Sequence, residues 1–192
     1  MKLENWCDIP TNFGVFRMYD TNDESVNVIS ACSIEELITP VPVRIHSSCR
    51  ASEVFHALDC DCADQLKESM RIISRLKNGL VIYLHQEGRG QGLSNKIKAV
   101  KLMQTKGIDT ADAFYELGLE LDPRTYIKAT DILQELGVHR VALITNNPRK
   151  IAFVKSAGIE VSKIIPTHPI IREENKDYLH SKNKKLSHMI PV

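Results

Sequence analysis

Three of the five cysteines lie within fourteen residues, at Cys49, Cys60 and Cys62. Thiolates are preferred zinc ligands, and three protein ligands with one open coordination position are typical of a catalytic zinc site. A zinc ion with an open position activates water for attack on an electrophilic carbon. Two alternatives stay open. Either His46 or His56 supplies a fourth ligand to a structural site, or the three cysteines are buried and free.

A glycine-rich stretch, residues 85–92, follows one predicted strand and precedes a predicted helix. Its glycines let the backbone come close to a ligand, and the N-terminus of the helix favours an anion. Arg89 can bind a phosphate through two parallel hydrogen bonds. The spacing matches neither a Walker loop nor a Rossmann fingerprint, so the alternative is an ordinary glycine-rich connection.

Two further motifs combine loop positions with charged side chains. Residues 145–150 join a predicted strand to a predicted helix. Helix capping explains the two asparagines and Pro148, but it does not explain Thr145 together with Arg149 and Lys150, which indicate an anion contact. Asp122 and Arg124 lie two residues apart in a predicted loop, where a simple salt bridge is the alternative to a chemical role.

These motifs lie on a pattern of alternating strands and helices. Strands are predicted at 14–19, 26–31, 41–46, 80–84, 141–144 and 159–165, and helices at about 63–76, 93–103, 109–117, 124–136 and 148–157. The alternation predicts an α/β fold of three layers, α/β/α, with a mainly parallel sheet and additional N-terminal strands. Ligands of such sheets bind at the carboxyl ends of the strands, which is where the motifs fall.

We expect a single domain over residues 1–192, with a strand-rich part at about 1–48, an α/β part at about 49–170 and a tail at 171–192. Between Arg172 and His188 the tail holds five Lys or Arg against three Asp or Glu. This composition predicts a solvated, partly ordered end. The alternative is a flap over an anionic ligand.

The composition argues against nucleic acids and membranes as partners. The 192 residues carry a formal net charge of +1, and 43% are hydrophobic. Nucleic-acid binders are usually clearly basic, and no segment approaches the roughly 18 apolar residues of a membrane span. The N-terminus lacks the apolar core of a signal peptide, and five cysteines make a poor disulfide framework. We therefore expect a cytoplasmic protein.

Taken together, the motifs resemble the GTP cyclohydrolase II family in order and spacing. The matching stretches are residues 44–47 followed by Cys49, 60–62, 86–89, 95–97, Asp122 with Arg124, and 145–148. The resemblance extends from about residues 9–11 to 178–179. Many members of the family are fused to a dihydroxybutanone-phosphate synthase domain. Because this chain is too short to carry one, we expect a stand-alone form.

The resemblance implies a hydrolase of riboflavin synthesis. It would open the imidazole ring of GTP at C8, release formate and pyrophosphate, and leave a diaminopyrimidinone ribosyl phosphate. It implies one zinc ion per chain on Cys49, Cys60 and Cys62, magnesium with the triphosphate, and a homodimer. It also implies GTP contacts, which fall at Arg44, Ile45, His46, Ser47, Ser48, Gln65, Glu87, Gly88, Arg89, Thr110, Thr145 and Lys150.

By the same resemblance, Asp122 is the proton acceptor and Arg124 the nucleophile toward the α-phosphorus. The chemistry of arginine favours a different role for Arg124. A guanidinium is essentially always protonated and is a poor nucleophile, so a phosphate clamp that stabilises charge in the transition state is simpler.

Two positions depart from the family pattern. The family usually has Glu where Ser48 stands and Tyr at Val100, or at Lys101 if the alignment shifts by one residue. Each change removes or shortens a polar group. An alternative function is therefore a paralogue in specialised metabolism that stops at a formamidopyrimidine nucleotide or uses another nucleotide. A second alternative is a non-catalytic nucleotide-binding protein.

Overall fold

A computed structural model describes residues 3–190 of the chain. Seven strands form one sheet in the order β1-β2-β3-β5-β4-β6-β7. They are β1 (Trp6–Thr11), β2 (Gly14–Tyr19), β3 (Val26–Ser30), β4 (Val41–Ser47), β5 (Leu80–Leu84), β6 (Arg140–Ile144) and β7 (Glu160–Ile165). The last four strands pair in parallel, and β1 to β3 add antiparallel pairings that end on β5. The predicted α/β class with additional N-terminal strands is confirmed.

Seven helices accompany the sheet in the described part of the chain. They are α1 (Arg50–Glu53), α2 (Cys62–Leu76), α3 (Gly92–Lys106), α4 (Thr110–Glu116), α5 (Ile127–Glu135), α6 (Pro148–Ser156) and α7 (Lys176–Leu186). The helix predicted from residue 124 begins only at Ile127, because residues 122–126 form a loop. No helix in residues 3–190 is both long and apolar enough to cross a membrane.

Two apolar clusters on the sheet create the three layers. Alternate residues of β4 and β5, such as Val43 and Ile82, pack with Leu133 of α5 and Val154 of α6 in one cluster. Val81 packs in another cluster with Phe16, Ile144 and Ile73 of α2. Because successive side chains of a strand point to opposite faces, α5 and α6 cover one face of the sheet and α2 covers the other.

The prediction of a solvated tail is wrong for its helical part. Residues 176–186 form α7, and Leu179 and Asn175 are fully buried. Lys182 is also buried, and its Nζ lies 2.5 Å from Asp61 Oδ1. A basic composition predicts a solvated segment only when its cations have no buried partner. Lys182 has such a partner in Asp61.

The carboxyl ends of β4, β5 and β6 bring the motifs together. β4 leads into Cys49, β5 leads into the turn at Glu87–Gly90, and β6 leads into Thr145. Gly79, which precedes β5, has a φ of +122°, and a Cβ there would lie 2.5 Å from the Pro42 carbonyl oxygen. Only glycine fits this close approach, which sets β5 beside β4.

Candidate active site

A cavity of about 650 Å³ opens at this edge of the sheet. That volume is in the range of small-molecule binding sites, roughly 300–1,000 Å³. Its lining includes most of the residues that the resemblance implies as ligands: Arg44, His46, Ser47, Ser48, Cys49, Cys60, Cys62, Gln65, Glu87, Gly88, Arg89, Thr110, Arg124, Thr145 and Lys150. These residues come from six separate parts of the chain, and the fold brings them together.

Two of the implied site residues lie behind the cavity wall. Ile45 is a core residue, and its backbone oxygen accepts a hydrogen bond of 2.8 Å from Lys150 Nζ. The Asp122 side chain is 3% exposed and faces Arg124. Ile45 therefore holds Lys150 in place through its backbone oxygen, and Asp122 holds Arg124 in place through its carboxylate.

The three cysteines form one compact group of thiols. Their Sγ atoms lie within 4.8 Å of one another, and those of Cys49 and Cys60 are 3.8 Å apart. Sulfur ligands at about 2.3 Å from a tetrahedral zinc ion lie about 3.8 Å from one another, so the spacing fits zinc. Cys49 caps α1 and Cys62 begins α2, and helix N-termini favour the thiolate form. The three residues can hold a metal ion.

Neither histidine near the cysteines joins this group in the described residues. His46 Nε2 lies 2.9 Å from Glu53 Oε1, and His46 Nδ1 accepts from Arg44. His56 is exposed, in a left-handed turn with a φ of 56°. The alternative of a fourth histidine ligand therefore has no support, and a three-thiol site with an open side agrees with the geometry.

Lys96, which belongs to the matching stretch 95–97 but was assigned no role from the sequence, lines the cavity and supports the thiol group. Its Nζ lies 3.0 Å from Cys49 Sγ and 2.9 Å from Glu87 Oε1. Burial alone would lower the pKa of Lys96, but the thiolate and the carboxylate outweigh burial and raise it above its usual value. Hydrogen bonds from Cys60 and Cys62 in turn lower the pKa of Cys49 to about 3. These contacts favour a thiolate at Cys49 beside a protonated Lys96.

A chain of hydrogen bonds links the cavity floor to the cysteines. Arg44 Nη2 donates to Gln65 Oε1 at 2.6 Å, and Arg44 also donates to His46. Burial lowers the pKa of His46, which keeps its imidazole neutral. Glu53 Oε1 accepts from the Cys49 backbone N–H at 2.8 Å, and Glu53 Oε2 accepts from the Tyr83 hydroxyl at 2.5 Å. Glu53 was not predicted, because its partners His46 and Tyr83 lie on other elements.

Asp122 and Arg124 form a two-point ion pair. Arg124 Nε and Nη2 donate to the two Asp122 carboxylate oxygens at 2.7 and 2.8 Å. Arg149 Nη1 also lies 2.8 Å from Asp122 Oδ2. Burial disfavours the charged form of both side chains, but their ion pair outweighs burial. The pKa of Asp122 is therefore lowered and the pKa of Arg124 is raised. A guanidinium held in this way stays protonated, which favours a clamp over a nucleophile.

The turn after β5 presents Arg89 to the cavity. Gly88 and Arg89 both have left-handed φ values, 60° and 58°. The Arg89 guanidinium lies 5.6 Å from the centre of the Phe114 ring, and its Nη1 atom is buried without a hydrogen-bond partner in residues 3–190. Thr110 Oγ1 is buried without a partner as well. Gly92, which begins α3, lies outside the cavity lining, so the anion-binding features here are Arg89 and the turn.

The two positions considered for the second departure from the family pattern differ in their surroundings. Val100 lines the cavity, whereas Lys101 is exposed and lies outside the lining. Ser48 lines the cavity too. Both departures therefore face the space where a substrate would bind.

Comparison with known proteins settles the family. The sequence profile described as GTP cyclohydrolase II matches residues 2–166. The chain belongs to the GTP cyclohydrolase II family. A GTP cyclohydrolase-2 of Neisseria meningitidis (serogroup C, strain FAM18) is 41% identical over 186 residues, which are 96% of this chain and 94% of that protein.

Longer relatives share only part of their length with the chain. A riboflavin biosynthesis protein RibBA of Endomicrobium trichonymphae is 39% identical over 188 residues, and the chain spans 46% of its length. Among solved structures, RibBX, a two-domain 3,4-dihydroxy-2-butanone 4-phosphate synthase from A. baumannii, has a TM-score of 0.42 at 15% identity, covering 85% of this chain and 39% of its own. That likeness is too distant to support a conclusion.

Proposed function

We propose that the chain acts as a GTP cyclohydrolase II in riboflavin biosynthesis. It opens the imidazole ring of GTP at C8 and releases formate and pyrophosphate. One observation carries the proposal: a single cavity holds the thiol group together with the basic side chains Arg89, Arg124 and Lys150. A metal-activated hydrolysis needs the thiol group to hold the metal, and a triphosphate needs the basic side chains to bind it. A non-catalytic nucleotide-binding protein would have no use for a three-thiol group open to the cavity.

Zinc, one ion per chain, is the metal that the thiol group suits best. When bound, zinc supplies Lewis-acid chemistry, which activates water and polarises the atom that it attacks. Lys96 and Glu53 hold the ligand residue Cys49 in place through the contacts described above. Magnesium accompanying the triphosphate is part of the proposal, and so are a homodimer, a single domain and a cytoplasmic location.

Arg124 stabilises the negative charge that develops as pyrophosphate leaves, and Asp122 orients it. A carboxylate with a lowered pKa that already accepts from two guanidinium groups is a weak proton acceptor. We therefore assign Asp122 a positioning role. Thr145 and Lys150, at the start of α6, lie where a phosphate would meet a helix N-terminus.

The function is tested by incubating the zinc-loaded protein with GTP and assaying formate and pyrophosphate separately. A GTP cyclohydrolase II releases both products in equal amounts. A protein that only opens the ring releases no formate, and a binding protein leaves GTP intact.

Arg89→Ala should weaken GTP binding by about 1.5–3 kcal/mol, the usual contribution of a charge-assisted hydrogen bond. Titration calorimetry measures this as a rise in Kd of roughly 10- to 100-fold. Arg75→Ala, at an exposed arginine on α2 outside this cavity, is the matched control. An unchanged Kd for Arg89→Ala would place the triphosphate elsewhere.

A second candidate function is favoured by Val100. Its side chain lines the cavity and offers neither a donor nor an acceptor. Release of formate takes a second hydrolysis at the same carbon, in which proton transfer is worth about 10²–10⁴ in rate. Loss of the family's tyrosine can stall this step alone, which would leave a formamidopyrimidine nucleotide.

Val100→Tyr should therefore raise the amount of formate released per GTP consumed. Mass spectrometry of the nucleotide product measures the formamidopyrimidine fraction directly. Lys101→Tyr places the same side chain on the exposed neighbouring position and should change nothing. Stoichiometric formate from the unmodified protein would contradict the second candidate and support the first.

A further inference from the structure

The C-terminal segment, residues 172–190, lies along the cavity, where ion pairs and a hydrogen bond hold it against distant parts of the chain. At one end, Arg172 Nη1 lies 2.6 Å from Asp64 Oδ2 on α2. Further along, Lys182 Nζ lies 2.5 Å from Asp61 Oδ1, and Asp61 lies between Cys60 and Cys62 in the sequence. The segment is thus tied to the side of the cavity that holds the thiol group.

The other contacts of the segment lie on the opposite side of the cavity, near the beginnings of α4 and α6. Lys185 Nζ lies 2.5 Å from Asp109 Oδ2, at the residue that caps α4. The Met189 backbone N–H donates to the Asn146 backbone oxygen at 3.0 Å, in the loop between β6 and α6. The C-terminal segment therefore passes from the thiol group to the start of α6, and it forms one wall of the cavity.

Seven residues of this wall line the cavity: Glu174, Asp177, Tyr178, Ser181, Lys182, Leu186 and His188. The resemblance assigned none of them a role. His188 differs from the others because one of its ring nitrogens has no hydrogen-bond partner. Its Nδ1 atom is buried without a partner among residues 3–190, as are Arg89 Nη1 and Thr110 Oγ1 in the same cavity. A buried polar atom without a partner is unfavourable, so all three favour a ligand that bonds to them.

The groups that face His188 indicate which part of a ligand lies there. Lys182, Arg124 and Lys150 act on it as positive charges, and Asp61 is the negative one. Burial first, and then these cations, lower the pKa of His188 to about 3, so its imidazole is neutral. A neutral imidazole donates one N–H bond, and beside the cations Lys182 and Arg124 the natural acceptor is an anionic oxygen.

We propose that His188 is a substrate-contacting residue, which donates a hydrogen bond to the phosphate groups of GTP from the C-terminal segment. The inference deepens the proposed function and rests on it. It assigns the residues after 171 to the nucleotide site, although the family profile ends at residue 166. Placement of Met189 against Asn146 brings His188 to the loop that begins α6, where the triphosphate is proposed to bind.

The test compares a phosphate probe with a probe that lacks phosphate. Calorimetry of the zinc-loaded protein measures Kd for pyrophosphate with magnesium and Kd for guanosine, and steady-state assays give KM and kcat for GTP. His188→Ala should raise Kd for pyrophosphate and KM for GTP by about 10-fold, since one hydrogen bond to a charged group is lost. It should leave Kd for guanosine and the unfolding temperature unchanged.

Two further variants separate a contact from a structural role. His188→Asn keeps an amide near the Nδ1 position and should restore part of the pyrophosphate affinity. His180→Ala is the matched control, because His180 is exposed on α7 and bonds the Lys176 backbone oxygen instead. A His188→Ala protein that bound pyrophosphate normally, or that lost guanosine equally, would overturn the assignment.

The same titrations distinguish this inference from the proposed function. A wild-type protein that bound pyrophosphate through His188 but left GTP intact would overturn only the proposed function. A wild-type protein that released formate and pyrophosphate from GTP, while His188→Ala left Kd for pyrophosphate and KM for GTP unchanged, would overturn only the inference about His188.

Discussion

Replacement of Cys60 by serine should abolish zinc binding and lower the rate of GTP ring opening by about three orders of magnitude or more. Zinc supplies several kcal/mol of transition-state stabilisation, and each 1.4 kcal/mol is about tenfold in rate. A serine hydroxyl does not replace the thiolate that zinc prefers. The fold should survive, because the apolar clusters that hold the sheet and helices together contain none of the three cysteines.

Metal analysis and thermal unfolding of the purified protein check this prediction together. The unmodified chain should carry about one zinc ion, as three protein ligands imply. Cys32→Ser is the control, since Cys32 is a free, half-buried cysteine outside the thiol group. Full zinc occupancy in the Cys60→Ser protein would contradict the assignment of the metal site.

Replacement of Arg124 by methionine should lower the rate of pyrophosphate release by about 10²–10³, the usual effect of losing one preorganised charge-stabilising group. The guanidinium is fixed by Asp122 at two points and stays protonated. Arg149 continues to pair with Asp122 in the variant, so no buried carboxylate is left without a partner.

Steady-state assays of pyrophosphate measure this effect, with Arg140→Met as the control at an exposed arginine that pairs with Glu160. GTP labelled at the α-phosphorus separates the two roles of Arg124. A clamp leaves the protein unlabelled during turnover. A phosphorus label trapped on Arg124 would show that it is the nucleophile.

Much of the fold could be predicted from the sequence because local patterns dictate it. The spacing of Ile73 and its apolar neighbours predicts α2, and Asn78-Gly79 predicts its end, which the structure places at Leu76. The strand β1 was not predicted. It is an edge strand, it contains Pro10, and most of its residues are exposed, so neither alternation nor a buried apolar run marks it.

The candidate site could be predicted only in part, because several of its contacts join residues that are far apart in the chain. Cys49, Cys60 and Cys62 are close in sequence, so their grouping was visible. Lys182 pairs with Asp61 from 121 residues away, and nothing local distinguishes it from a solvated lysine. The same holds for His188, whose surroundings come from α6 and the loop before α5.

The measurement that tests the central claim most directly follows the C8 carbon of GTP. Carbon-13 NMR of GTP labelled at C8, incubated with the zinc-loaded protein, reports whether this atom leaves the purine ring. The account predicts that the purine signal disappears and that the label moves to formate, or to the formamide carbon of a ring-opened nucleotide. The Cys60→Ser protein should leave the signal in place. A wild-type protein that consumed GTP while the label stayed in the intact ring would contradict the account.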